Sequence, residues 1–260
     1  MSGLTSQIYL WDNRAMYIGS LPDVGTHRLA AAALIIGLQD NFRVINSKTG
    51  VSTSCRTALI PPGCEHETCF DGKLVAVVFL EAESNDYGVV KQLMNKDEQN
   101  CLLNIKNEEK VIEILNEICA NKPDANNTLH LLNSLLYVDD PDLLEPKPID
   151  KRIREVMGIM RADPSLSHSL QSLAKRVHLS PTRFTHLFKE ETGVPIRRYR
   201  QWQRFKLAIQ LISEGNTMSH AASVTGFTDS AHFSRAFRSM FGLKPSVLFR
   251  KTNDITTIIG

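Results

Sequence analysis

The sequence predicts an α+β multidomain protein, in which a barrel of short β-strands with flanking helices precedes an all-helical domain. Turn signals separate apolar segments of strand length over residues 1–80, and apolar residues recur at helical spacing from residue 150 onward. The charge also changes sign. Residues 147–260 carry 19 Lys and Arg against 8 Asp and Glu, whereas residues 1–146 carry 11 against 20. A net charge of +11 on the second part indicates an anionic partner, with nucleic acid first and a membrane surface second.

The boundary between the two parts is a polar stretch with three prolines that interrupt any helix. We therefore predict three segments: a first domain over 1–138, a linker over 139–149 and a second domain over 150–252. Two helices are expected near the end of the first domain, with apolar stripes over 111–119 and 129–136. They could cover the barrel or form a homodimer, and spacing alone favours neither.

Composition excludes several protein classes. Hydrophobic residues make up 42% and charged residues 22% of the chain, as in globular domains. The longest apolar run, Leu29–Leu38, is too short to span a bilayer, and residues 1–5 lack the features of a signal peptide. We therefore expect a cytoplasmic protein without a membrane partner. The odd number of cysteines fits reduced thiols: Cys55, Cys64, Cys69, Cys101 and Cys119.

An internal repeat carries most of the functional information. Residues 180–193 (S-P-T-R-F-T-H-L-F-K-E-E-T-G) align with residues 229–242 (D-S-A-H-F-S-R-A-F-R-S-M-F-G), with helix caps, phenylalanines and a final glycine in register. Each copy follows a short helix and a tight turn, which is the helix-turn-helix plan. A predicted helix of about 18 residues over 196–213, roughly 27 Å long, joins the copies. The two second helices could therefore read two successive major grooves of double-stranded DNA.

These motifs resemble the AraC/XylS family of bacterial transcription regulators. The resemblance covers residues 153–250 and is carried by L-S-P-T-R-F-T-H-L-F-K-E-E-T-G-V-P-I, R-F-K-L-A-I-Q-L-I and G-F-T-D-S-A-H-F-S-R-A-F-R-S-M-F-G-L-K-P-S-V-L-F-R. It implies base contacts from the outward positions of both recognition helices: Thr182, Arg183, Thr185, His186, Ser230, Ala231, His232 and Arg235. Basic residues nearby are expected to contact phosphates: Lys189, Arg197, Arg198, Arg200, Arg204 and Arg238.

One departure from the family pattern concerns the first turn, where His178 stands in place of the commoner glycine. Histidine tolerates a positive φ better than most residues, so we expect the turn to form.

The first domain resembles, over T-A-L-I-P-P-G-C-E-H-E, the cupin-like sensor barrels that many family members carry. The resemblance implies a regulator controlled by a small-molecule effector, with RNA polymerase as a further partner. It does not name the effector or its binding residues, and it leaves activation or repression open.

The first domain contains one candidate metal site and one candidate pocket wall. Cys64, His66 and Cys69 could bind a metal, but no second ligand pair has suitable spacing, so neither a metal nor a cofactor is expected. Residues 52–57 could form a polar pocket wall or an exposed strand. A cupin-type metalloenzyme and a methyl-accepting DNA-repair protein are the alternatives. The sequence lacks the paired histidines of the former and the Pro-Cys-His-Arg setting of the latter, so we predict no enzyme.

Overall fold

The computed structural model describes residues 6–82, 84, 86–98, 101–136, 148–249 and 255–260. Its first part consists of short strands: β1 (Ser6–Leu10), β2 (Arg14–Ser20), β3 (Val24–Arg28), β4 (Ala32–Gly37), β5 (Phe42–Asn46), β6 (Ser52–Cys55), β7 (Thr57–Ile60), β8 (Glu65–Cys69), β9 (Leu74–Leu80), β10 (Met94–Glu98) and β11 (Cys101–Ile105). A further strand, β12 (Ile255–Ile259), follows the helical domain.

These strands form two sheets. The larger has the order β10-β11-β7-β4-β9-β2-β1-β12, and the smaller has the order β3-β8-β5-β6. Neighbouring strands are antiparallel except β12, which pairs with β1 in parallel. The last strand of the described chain therefore extends the sheet of the first domain, an element that the sequence analysis did not predict.

The larger sheet is buried on both faces. Along β2, Ala15 and Tyr17 face the core shared with the smaller sheet and the helical domain, whereas Met16 and Ile18 face a second core. Strands covered on both faces read as continuous apolar runs rather than as alternating patterns. This explains why β4 and β9 consist almost entirely of apolar residues.

Three helices cover the second face: α1 (Asp86–Leu93), α2 (Glu108–Asn121) and α3 (Ala125–Leu136). The apolar stripes of α2 and α3 are buried there, with Leu115, Ile118 and Leu132 at most 1% exposed. Of the two roles left open for these helices, the structure shows that they cover the barrel. Most of each apolar stripe is therefore occupied within the chain, whereas Ile112 and Leu129 are half-buried.

The second part is all-helical: α4 (Lys151–Ala162), α5 (Leu170–Arg176), α6 (Pro181–Thr192), α7 (Ile196–Ser213), α8 (Met218–Val224), α9 (Ser230–Phe241) and α10 (Pro245–Leu248). Phe205 of α7 is fully buried, and its ring packs against four others. The predicted fold class, a β-barrel domain followed by an all-α domain with two helix-turn-helix units, is confirmed.

The predicted domain limits remain a prediction. Most of the expected linker, residues 139–147, lies outside the described residues. None of the helices described is both long and apolar enough to cross a bilayer.

Candidate DNA-binding surface and effector cavity

The two helix-turn-helix units are built on matching caps. Ser169 and Thr217 cap the first helices, α5 and α8, which have seven residues each. Ser180 and Asp229 cap the second helices, α6 and α9, which have 12 residues each. In all four cases the capping oxygen accepts a hydrogen bond from the backbone N–H three residues later, which satisfies a donor that the helix leaves free.

The turns between paired helices require a left-handed residue. His178 has a φ of 54° in the first turn, and Gly226 has a φ of 78° in the second. The expectation that histidine would support the turn is confirmed. The second turn is one residue longer than the first. The caps of the two first helices are 48 positions apart in the sequence, whereas the caps of the two second helices are 49 apart, and the first helices have equal lengths.

The predicted base-reading side chains lie on the outer face of α6 and α9. Six of them are exposed: Thr182, Arg183, His186, Ser230, Ala231 and Arg235. Thr185 is half-buried, and its hydroxyl donates to Thr182 O at 2.8 Å. His232 is also half-buried, and its ring packs edge-on against that of Phe227. The buried face of α9 carries Phe233, Phe237 and Met240, so burial divides the helix as the repeat predicted.

The predicted phosphate-contacting residues divide into two groups. Lys189, Arg197 and Arg238 are exposed. The other three are half-buried and donate to carbonyl oxygens within the chain. Arg198 donates to Arg28 O of the first domain, Arg200 to His168 O, and Arg204 to Pro164 O and Gly226 O. Burial is the main cause that lowers the pKa of these three arginines. Their contacts give them a structural role, and phosphate binding stays a prediction for all six.

A cavity lies between the helical domain and the barrel. It contains about 870 Å³ of unfilled space, including its opening to solvent, and its walls are almost entirely apolar. The first domain contributes one set of lining residues, among them Ile8, Tyr17, His66 and Phe70, and helices α7 and α9 contribute another, including Trp202, Phe205 and Phe237. A molecule bound here would therefore contact both domains.

Comparison with known proteins identifies the second part. Residues 173–251 match the helix-turn-helix domain family. The Arabinose operon regulatory protein of Salmonella typhimurium is 35% identical over 103 residues, which are 38% of this chain and 36% of that protein. The second domain contains a helix-turn-helix domain and is similar in sequence to this regulator, so we call it the AraC-type domain. The chain aligns with only about a third of that regulator's length.

The two-domain arrangement is also seen in solved structures. Apo ToxT from Vibrio cholerae, a variant form, aligns with a TM-score of 0.62 at 14% identity, over 90% of this chain and 96% of that one. The structure of wild-type ToxT bound to an unsaturated fatty acid aligns with a TM-score of 0.59 at 13% identity, over 90% and 94%. At this level of identity the similarity supports a common fold, with a barrel-like domain joined to a helical domain.

The other candidate residues of the first domain do not converge. His66 is buried against His27, with ring centroids 4.2 Å apart, and both rings line the cavity next to the AraC-type domain. Cys64 instead faces Cys101, whose hydrogen bond lowers the pKa of the Cys64 thiol to about 7. None of residues 52–57 lines the cavity; Ser52 and Ser54 are exposed on the edge strand β6, whereas Cys55 and Thr57 are buried.

Sequence reasoning missed His27 as the neighbour of His66. The two residues are 39 positions apart and meet because β3 pairs with β8. Strand pairing of this kind leaves no short-range signal in one sequence.

Proposed function

We propose that this chain is a sequence-specific DNA-binding transcription regulator of the AraC type, controlled by a small effector bound in the cavity between its domains. The observation that carries the proposal is the pair of matched helix-turn-helix units, whose outer polar side chains are exposed in the half of the chain with a net charge of +11. We also propose that the protein acts in the cytoplasm and that RNA polymerase is one of its partners.

Base recognition is assigned to the outer face of the two recognition helices. Arg235 has the geometry to donate two hydrogen bonds to guanine, Ser230 and Thr182 to donate or accept one, and Ala231 to contact a thymine methyl. Lys189 and Arg238 occupy the same position in the two units, one residue after a buried phenylalanine. Two cations at one repeated position suit phosphate, which is the same at both half-sites.

Effector control is supported by the position of the cavity. Because its walls come from both domains, a ligand that binds one arrangement of the domains more tightly shifts the population toward that arrangement. The solved relatives include ToxT bound to an unsaturated fatty acid, which matches the apolar walls seen here. A homodimer stays within the proposal, although the buried stripes of α2 and α3 no longer argue for it.

The test is DNA binding by the full chain as a function of salt. A binding sequence is first selected from a random duplex library, and its affinity is then titrated between 50 and 200 mM salt. With six to ten phosphate contacts, affinity should fall on the order of a thousandfold or more. Lys189→Ala should lower the salt slope by about one, whereas Lys110→Ala, at an exposed position on α2, should not change it. Salt-independent binding, or no selected sequence, would contradict the proposal.

A further inference from the structure

The cavity between the domains contains few polar groups, and the only cation among its described lining residues is already occupied. Lys206 Nζ donates to Trp11 O at 2.8 Å, Asp12 O at 2.7 Å and Glu81 Oε1 at 2.6 Å. An ammonium group has three donors, so Lys206 has none left for a bound anion.

His66 differs from Lys206 because one of its ring nitrogens is unused. Its side chain is buried, and Nδ1 lies 3.2 Å from Cys64 O. A carbonyl oxygen only accepts, so Nδ1 carries the proton and Nε2 has a bare lone pair. Nε2 is buried and has no hydrogen-bond partner in the described part of the chain.

The ring of His66 is also uncharged. Burial, with a smaller contribution from neighbouring His27, lowers the pKa of His66 to about 3. A neutral imidazole with a protonated Nδ1 can accept a hydrogen bond at Nε2 but cannot donate one there. Leaving a buried acceptor without a partner is costly, so a ligand that supplies a donor at this point gains affinity.

We propose that His66 Nε2 is the recognition point for the effector, and that the effector is an apolar molecule with an uncharged hydroxyl or N–H donor rather than an ionised carboxylate. The inference rests on the proposed function, since it assumes that this cavity takes the effector. An ionised carboxylate has only acceptor oxygens and therefore supplies no donor to His66 Nε2. Lys206 does not hold such a carboxylate instead, since its three donors are occupied.

A second buried atom is consistent with the same ligand class. Trp202 lines the cavity, and its Nε1–H is buried without a partner among the described residues. Indole nitrogen only donates, whereas a hydroxyl group both donates and accepts. A hydroxyl ligand can donate to His66 Nε2 and accept from a group such as the Trp202 N–H, whereas an ionised carboxylate can only accept from the Trp202 N–H, so His66 is the group that distinguishes the two ligand classes.

The experiment compares three eight-carbon probes by calorimetry with the full chain: 1-octanol, its isomer methyl heptyl ether, which lacks a donor, and octanoate at pH 7.5. We expect 1-octanol to bind about fivefold more tightly than the ether, the ratio for one hydrogen bond of about 1 kcal/mol. Octanoate should bind most weakly. Preference for octanoate, or equal affinity for the alcohol and the ether, would overturn the inference, as would absence of binding by all three.

A pair of variants assigns the preference to His66. His66→Phe keeps a ring of similar size without the acceptor, and should reduce the affinity for 1-octanol to that for the ether. Phe70 also lines the cavity, and Phe70→Leu should lower the affinities for 1-octanol and for the ether by the same factor. If His66→Phe does not fold, His66→Gln retains a polar side chain, and the wild-type comparison of probes still decides. A preference for 1-octanol that survives His66→Phe overturns the assignment.

The two proposals can fail separately. If 1-octanol binds through His66 but leaves the affinity for the selected DNA unchanged, the recognition inference stands and effector control fails. If octanoate binds most tightly and changes the DNA affinity, effector control stands and the inference about the ligand class is overturned.

Discussion

Lys206 Nζ of α7 lies 2.6 Å from Glu81 Oε1. Because Glu81 directly follows the last residue of β9, this ion pair joins the AraC-type domain to the barrel. The carboxylate of Glu81 is 1% exposed, and its other oxygen accepts from Gln203 Nε2 at 2.7 Å. Both oxygens of one buried anion are therefore held by a single helix of the other domain.

Removing Glu81 should destabilise the protein strongly. Glu81→Ala leaves the half-buried ammonium of Lys206 with only the carbonyl oxygens of Trp11 and Asp12, and loss of one partner of a buried pair costs at most about 3–5 kcal/mol. Urea unfolding followed by circular dichroism measures the loss. Glu113→Ala, at an exposed position on α2, should change the free energy of unfolding by no more than about 0.5 kcal/mol. Equal effects of the two substitutions would show that the ion pair does not hold the domains together.

Arg235 should specify sequence, whereas Arg238 should supply affinity. Arg235→Ala is expected to relax the preference at one or two base pairs by roughly 1–3 kcal/mol, the value of a bidentate contact with guanine. Arg238→Ala should weaken binding to all sequences alike and lower the salt slope by about one. Each variant is titrated against the selected sequence and its single-base variants at several salt concentrations. The opposite pattern would mean that α9 presents a different face to DNA.

Acid should destabilise the protein through His66. Its pKa is about 3 in the folded chain and ordinarily 6.5, so between these values the unfolded chain binds a proton that the folded chain does not. The associated stability is present above pH 6.5 and is lost as the pH falls toward 3, at about 1.4 kcal/mol per pH unit for one proton.

His66→Phe should flatten this dependence, measured by urea unfolding at intervals from pH 7 to pH 4. The slope should not vanish entirely, because burial also lowers the pKa of His27. His220→Phe, at an exposed position on α8, serves as the control. A His66 variant with the wild-type slope would contradict the prediction.

Cys64 should react with alkylating reagents at lower pH than Cys69. The hydrogen bond from Cys101 lowers the pKa of Cys64 to about 7, whereas burial raises the pKa of Cys69. Because the thiolate is the nucleophile, iodoacetamide should modify Cys64 with a midpoint near pH 7 and Cys69 at distinctly higher pH. Mass spectrometry of digests reports both sites, and Cys101→Ala should move the Cys64 midpoint upward. Identical profiles for the two thiols would refute the prediction.

The helices of the second domain were predicted from the sequence close to their observed positions. Helix α7 spans Ile196–Ser213 as expected, because Pro195 before it, Gly215 after it and the apolar spacing within it are all local signals. The strands of the first domain were recognisable, but their order was not, because pairing joins distant segments. The internal contacts of Arg200 and Arg204 also depend on tertiary structure, so these residues looked like surface cations. Strand β12 was missed, although its residues (I-T-T-I-I) are β-branched.

Strand β12 follows the AraC-type domain in the chain and pairs with β1 of the barrel, so the domain is attached to the barrel at both of its ends. Residues 148–249 lie in the chain between two segments of the larger sheet, and Gly260 N donates to Leu10 O at 3.0 Å where β12 pairs with β1. A domain tethered at both ends keeps a high effective concentration at its interface even when individual contacts break. We therefore expect the docked domain to rebind the barrel readily after individual contacts break, as long as the five residues of β12 stay paired with β1.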